Sequence, residues 1–404
     1  MKSAPAARSL WWMVLTGGFV TLVTLAFARL AYGVLLPEMQ RGLGLSYGQA
    51  GNLGTVTALG YFATVMLAGL AARRWGARNT VLLGVATVSA GFVGLALASA
   101  YPLLLVLMAL LGIGTAFTYT PLISALAAWF PQQRGLVIGL ATSGIGLGLV
   151  SVGFLVPALT AWQGEGGWRW AWGLFAVTGA AVCGLVAAFL RDPPRPPVRS
   201  TSGSAGAWAV YRNPRVITVG LVYAAVGLTS IVQTLFMVSF MRHGGVPGGQ
   251  AGQLVAVNGL LSVFSGVVWG WLSDRLGRGA SLMLALGLVL LATLAPVLWP
   301  TLAVFTLHYV VLGCTVTGLF TLIQAAGTEQ VAAEDMPLAL SYVTLFFAAG
   351  QFLGPALAGG LIDRTGSFPV AFALSSAVLA AGLALAARIR AFSRRGRGAA
   401  ADSG

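Results

Sequence analysis

Residues 270–279 read Gly270-Trp-Leu-Ser-Asp274-Arg275-Leu-Gly277-Arg278-Gly279, and half a chain earlier residues 69–78 read Gly-Leu-Ala-Ala-Arg73-Arg74-Trp-Gly76-Ala-Arg78. Each stretch is a short charged turn between long apolar runs. A turn of this kind between two membrane helices needs glycines for backbone freedom and close helix approach. It also needs charges that can bind helix ends. Working outward from the two copies, twelve apolar runs can be read, at 11–36, 49–71, 79–99, 102–128, 135–157, 169–190, 215–240, 251–272, 280–298, 301–325, 337–361 and 369–389. Runs near 20 residues are long enough to cross a bilayer as helices.

A second echo supports the first. Arg134 to Gly148 opens the fifth run after a basic turn, and Met336 to Gly350 opens the eleventh in the same way. Repetition at half the chain length predicts an all-α membrane protein whose twelve transmembrane helices form two pseudo-symmetric six-helix bundles. In such folds a binding site lies at the repeat interface near mid-membrane. The Pro-, Ser- and Gly-rich start of 191–214 marks a linker. The expected division is 1–190 for the N-terminal bundle, 191–214 for a cytoplasmic linker, 215–389 for the C-terminal bundle and 390–404 for a basic cytoplasmic tail.

Composition agrees. The chain is 58% hydrophobic and 8% charged, whereas soluble domains carry about 25% charged residues. The formal net charge of +14 resembles a nucleic-acid signal, but 18 of the 23 Lys and Arg fall on one alternate set of loops and tails. That asymmetry is the positive-inside pattern, which places both termini in the cytoplasm and removes nucleic acid as a partner. The expected partners are the lipid bilayer and a small-molecule substrate. The tail reads as a stop-transfer anchor beside anionic headgroups. Cys183 and Cys314 lie in apolar runs and read as small core residues. The first run reads as a span rather than a cleaved signal. Two histidines, two separated cysteines and no mid-span acid give no metal site, no catalytic residues and no cofactor. No phosphate-binding loop points to an ATPase, so the chain is not expected to be an enzyme.

With these motifs in hand, the chain resembles the major facilitator superfamily. That family carries a G-x-L-x-D-R-x-G-R-type loop between helices 2 and 3, repeated between helices 8 and 9. The resemblance assigns Gly270, Asp274, Arg275, Gly277 and Arg278 to a conformational gating loop, with Asp274 pairing to a neighbouring helix end. The first copy has Arg73 where that aspartate belongs, and Met108 stands where many proton antiporters of the family have an arginine, four residues before Gly112. Trp129-Phe-Pro131-Gln-Gln-Arg134-Gly135, with Gly139, Gly144 and Gly148, resembles the monocarboxylate and oxalate–formate branches. Arg29-Leu-Ala-Tyr32 through Pro37-Glu38 resembles uncharacterised bacterial facilitators and organic-anion symporters, in which an arginine at this position contacts the substrate's anionic group.

Arg29 interrupts an apolar run, where a charge costs about 3 kcal/mol on insertion scales. Such a side chain either faces a watery cavity or snorkels to the interface. Pro37 reads as the end of the run, which puts Arg29 about 12 Å from it, in the outer half of the membrane. Tyr32 shares its face. The resemblance implies that the helices carrying Tyr119 and Gln233 line the cavity, and Gln351 is a further polar position within a span. His308 is either a proton carrier or a buried imidazole bonded to backbone. Asn52, Tyr61, Asn258, Gln324 and Tyr342 are further polar positions within spans. The nine acids, Glu38, Glu165, Asp192, Asp274, Glu329, Glu334, Asp335, Asp363 and Asp402, all fall at span ends or in loops. Proton coupling would then run through His308, Glu38 or Asp363, or through the substrate.

The expectation is a secondary active transporter of a small organic anion such as a monocarboxylate. It would work by alternating access, as a monomer, in a bacterial inner membrane. Arg29, Tyr32, Tyr119, Gln233, His308 and Gln351 are the substrate residues. The alternatives are a proton-driven exporter of hydrophobic or neutral compounds and a non-transporting, transporter-like membrane receptor.

Overall fold

In a computed structural model the described residues are almost all helical. The structure describes residues 7–130, 132–193, 204–331 and 335–401, without the side chains of 7–10, 134, 135, 165, 204–207, 337 and 388–401. Lys2, Pro131, Glu334, Asp402 and the side chains of Arg8, Arg134, Glu165 and the basic tail therefore lie outside the described set. Among the described residues, twelve helices are long and apolar enough to cross a membrane. We label them α1 (Ala7–Thr21, Leu22–Leu30 and Ala31–Leu43 in one rod), α2 (Tyr47–Trp75), α3 (Ala77–Leu97), α4 (Tyr101–Trp129), α5 (Arg134–Gln163), α6 (Gly167–Phe189), α7 (Pro214–His243), α8 (Gly248–Leu276), α9 (Arg278–Leu298), α10 (Leu302–Thr328), α11 (Met336–Thr365) and α12 (Phe368–Ala401). A short helix, Ser204–Arg212, occupies the end of the stretch read as a linker.

Two compact units result. One joins Met1–Pro196 with Gly245–Leu260, and the other joins Pro197–Gly244 with Leu261–Gly404. The N-terminal part of α8, to Leu260, thus groups with the first unit, where glycines seat it on α5. A Cβ on Gly153 would lie 2.3 Å from the Gly252 carbonyl oxygen, and one on Gly252 would lie 2.1 Å from that of Gly153. Backbones meet because no side chain stands between them.

The duplication is visible in helix lengths. α2 and α8 both have 29 residues, α3 and α9 both have 21, and α5 and α11 both have 30. It is visible in the turns as well. Gly76 sits at φ 87 and ψ 157 and Gly277 at φ 84 and ψ 148, a left-handed region that favours glycine. Helix contacts repeat too: Gly148 packs against Leu22 and Ala26 of α1, and its counterpart Gly350 packs against Ala224 and Leu228 of α7.

Three expectations change here. Pro37 does not end the first helix, which continues to Leu43 and stops at Gly44 in the left-handed conformation, φ 65. A proline inside a membrane helix is tolerated because neighbouring groups can re-satisfy the freed carbonyl. Gly69 and Gly270 have open space around them, so neither serves close helix approach, and Gly139 has none to serve either. Cys314 is exposed rather than part of the core, while Cys183 is half-buried.

Candidate functional site

The first unit builds its site around α1. Residues Leu22–Leu30 form a nine-residue π-helical stretch, closed by the Ala31 N–H donating to the Ala26 carbonyl five residues back. Such wide turns cluster at functional sites. Here the wide turn coincides with extra residues. From the glycine contact at Leu22 to the last helical residue, Leu43, the chain advances 21 positions; from Ala224 to His243 in the second half it advances 19. The π stretch takes up the surplus. Its bracing is tertiary. The Thr115 hydroxyl on α4 donates to the Thr24 carbonyl at 2.7 Å, and the Thr21 hydroxyl donates to the Ala141 carbonyl on α5 at 2.5 Å. Phe27 stacks on Phe175 of α6 at 4.1 Å between centroids.

Arg29 stands in the last turn of this stretch. Fourteen residues separate it from Leu43, about 21 Å of helix, so it lies near mid-span rather than in the outer half. That distance takes the outer interface beyond the reach of an arginine side chain. The guanidinium carbon sits 4.9 Å from the centroid of the Tyr61 ring on α2. Thr120 on α4 and Tyr119 beside it both lie close to Tyr61. Arg29, Tyr61 and Tyr119 are half-buried and Thr120 is exposed. Arginine, two phenols and a hydroxyl thus converge from three helices. The set offers a planar cation for an oxyanion, polar hydroxyls and aromatic faces.

Close packing positions Tyr61. A Cβ on Gly60 would lie 2.4 Å from the Ala109 carbonyl oxygen, and one on Gly112 would lie 1.9 Å from the Thr57 carbonyl oxygen and 2.9 Å from the Tyr61 nitrogen. α2 and α4 touch backbone to backbone at the level of the tyrosine. The sequence reading placed Tyr61 only among general polar positions and passed over Thr120. The Tyr119-Thr120-Pro121 triplet in mid-helix was the available signal.

The remaining candidates separate. Tyr32 is buried, and its hydroxyl donates to the Ala50 carbonyl at 3.1 Å, which makes it a packing residue between α1 and α2. Glu38 is buried near the end of α1 and pairs with Arg41. His308 belongs to the second unit; it is buried, with Nδ1 2.7 Å from the Ala292 carbonyl on α9. A carbonyl can only accept, so Nδ1 carries the hydrogen. This is the backbone-bonded arrangement, not that of an open proton carrier. Gln233 is buried on α7, with neither amide atom partnered among the described residues. Gln351 is half-buried at the middle of α11, and Asp363 is exposed in its last turn. Gln324 donates to the Tyr223 hydroxyl at 2.9 Å. Tyr223 stacks on Phe347 at 4.4 Å, within an aromatic group that includes Phe320. Tyr342 packs edge-on against Tyr211.

The duplication shows what the second unit lacks. α4 and α10 start at Tyr101 and Leu302, so Tyr119-Thr120 corresponds to Phe320-Thr321. Arg29 falls opposite residues 229–231, which are Thr229, Ser230 and Ile231. None carries a charge.

At the two turns the charges act on helix ends. In the second copy, Arg278 Nε donates to Glu329 Oε1 at 3.0 Å, at the end of α10, and its Nη1 donates to the Ser273 hydroxyl at 2.5 Å. Arg275 lies over the Trp271 ring at 4.0 Å. Asp274 is exposed, and no ion pair to it is found among the described residues, so Arg278 makes the helix-end contact expected of Asp274. In the first copy, where Arg73 replaces the aspartate, a carboxylate arrives from beyond α6. Asp192 Oδ1 accepts the Arg78 N–H at 2.9 Å, and a Cβ on Gly76 would lie 2.4 Å from Asp192 Oδ2. Asp192 therefore caps α3, a role the sequence reading missed by assigning it to a linker. Replacing Asp192 with alanine should cost about 1 kcal/mol and lower the unfolding temperature by a few degrees, whereas Asp192→Asn keeps an acceptor and should lie closer to the parent. Differential scanning fluorimetry of the purified protein checks the order. On the opposite side Arg169 donates to the Ala96 and Ala98 carbonyls at 3.0 and 3.1 Å, closing the other end of α3.

Comparison with known proteins fits this architecture. A family model described as Major Facilitator Superfamily matches residues 18–295 and, in a second match, 219–403. Monocarboxylate transporter 11 of Homo sapiens is 30% identical over 332 residues, covering 76% of this chain and 68% of that protein. Monocarboxylate transporter 12 of Rattus norvegicus is 25% identical over 415 residues, covering 92% and 84%. Monocarboxylate transporter 3 of the same species is 28% identical over 401 residues, covering 93% and 79%. Among solved structures, a bacterial homolog of the human lysosomal transporter Spinster, in an inward-facing and unoccupied conformation, aligns with a TM-score of 0.74 at 20% identity, covering 96% of this chain and 97% of that one. The nucleoside transporter NupG aligns with a TM-score of 0.73 at 11% identity, covering 95% and 98%. At those identities the structures speak to the fold alone. Twelve spans, a packing register repeated in each half and a family match along nearly the whole sequence establish that this multi-pass membrane protein belongs to the Major Facilitator Superfamily of secondary transporters.

Proposed function

We propose that the chain carries a small organic monoanion, with a monocarboxylate as the leading class, and that Arg29 is the cargo's charge partner. The single observation that carries this reading is the guanidinium held near mid-span against Tyr61, with Tyr119 and Thr120 beside it. Arginine keeps its charge and presents a fork that fits a carboxylate. Burying such a charge in a membrane is costly, so it is kept where a function uses it. The uncharged counterpart at Thr229 to Ile231 favours one negative charge per cargo over two. The printed names of the sequence relatives, monocarboxylate transporters, point the same way.

His308, tied to the Ala292 carbonyl, is assigned to packing. The aromatic group around Tyr223 keeps one further reading in play, an exporter of apolar compounds, since half-buried Phe320 and Phe347 offer an apolar surface. A ligand screen separates the two. Short monocarboxylates should raise the unfolding temperature of the purified protein, with a shift that grows with concentration, because a ligand that binds the folded state stabilises it. Dicarboxylates, sugars and apolar drugs should not. Stabilisation by apolar drugs with no response to any carboxylate would replace the anion reading with the exporter.

A further inference from the structure

We infer that Tyr61 is a positioning residue for the cargo's charge partner: its ring covers one face of the Arg29 guanidinium, so that an anion docks at the guanidinium edge. The inference rests on the reading of Arg29 as the anion partner and deepens it. All five N–H donors of a guanidinium lie in its plane. A ring over the face attracts the cation through its quadrupole without using any of those donors. A phenol hydroxyl bonded to Arg29 would take one. In this site the ring is what meets the cation, 4.9 Å from the guanidinium carbon to the ring centroid.

The ring is itself held. The glycine contacts at Gly60 and Gly112 fix its backbone. A hold on Tyr61 is thereby a hold on the plane of Arg29. Planarity matters because a carboxylate is recognised by two parallel N–H bonds, which tolerate little tilt. A long side chain without that wall samples several rotamers and loses the alignment.

Two measurements test this. Uptake of labelled lactate into proteoliposomes is compared for the parent, Tyr61→Phe, Tyr61→Leu and, as a bulkier control, Tyr61→Met. Loss of the ring in the Leu and Met variants should raise KM about tenfold with kcat within about twofold, whereas Tyr61→Phe, which keeps the ring, should stay within about threefold of the parent. In detergent, phenylglyoxal modification of Arg29, followed by peptide mass spectrometry, should run several-fold faster in the Leu and Met variants than in the parent or Tyr61→Phe. Equal uptake defects in Phe and Leu would show that the hydroxyl, not the ring, does the positioning, and overturn the proposal. Unchanged modification rates in all variants would overturn it as well. A parent protein that neither takes up lactate nor responds to any carboxylate refutes the anion reading instead, and the modification rates then decide on their own whether the ring shields Arg29.

Discussion

Arg29→Ala is expected to lower monocarboxylate uptake by at least about a hundredfold, since truncating one partner of a desolvated charge pair costs about 2–5 kcal/mol. Arg29→Lys should recover only part of the loss. Lysine restores the charge but not the planar fork, and its compact ammonium is more strongly hydrated. The protein itself should remain folded, because the π stretch is braced by Thr24, Thr21 and Phe27 and not by the guanidinium. The checks are initial rates in proteoliposomes and the carboxylate-dependent rise in unfolding temperature, which should vanish in the alanine variant. Uptake at the parental rate in Arg29→Ala would take the residue out of the site.

The second large effect is expected at Gly112. A Cβ there would stand 1.9 Å from the Thr57 carbonyl oxygen, a distance no relaxation of a single side chain can relieve, because the obstacle is backbone. Gly112→Ala must therefore push α2 and α4 apart, and overpacking of this kind costs about 1–3 kcal/mol or more. The displacement falls directly on Tyr61, whose nitrogen is 2.9 Å from the same point. Gly112→Ala should accordingly lose uptake about tenfold or more even where the protein is recovered, and Gly112→Leu should give no monodisperse protein at all. Size-exclusion chromatography and uptake rates are the measurements. By contrast, Gly139→Ala meets no atom within 4 Å and serves as the control.

Much of the fold could be read from sequence because bilayer burial leaves a coarse mark. Twelve apolar runs, the charged turns at Gly76 and Gly277, and the echo between Gly148 and Gly350 each depend on composition and spacing, which a sequence displays directly. The site was only half visible. Arg29 announces itself as a charge in an apolar run. The π-helical stretch around it does not, since Leu-Val-Thr-Leu-Ala-Phe-Ala-Arg-Leu contains no breaker and its geometry is imposed by α4, α5 and α6. Pro37 misled for the opposite reason: a residue that stops helices in water is accommodated within a membrane helix. Asp192 could not be found by pattern at all, and Thr120 only through the hydroxyl pair before Pro121 in mid-helix. Asp192 acts on Arg78, a residue distant in the chain, and such a pairing exists only once the helices are packed.

A guanidinium in one half, with uncharged Thr229 to Ile231 at the corresponding positions of the duplicate, also makes the carrier electrically lopsided. Its fixed positive charge sits within the voltage drop, where each elementary charge moved through 100 mV is worth about 2.3 kcal/mol. On the proposed reading a bound monoanion would cancel that charge, and the laden form would cross the field as a neutral body. The empty form would not, and an imposed potential would set the speed of its return.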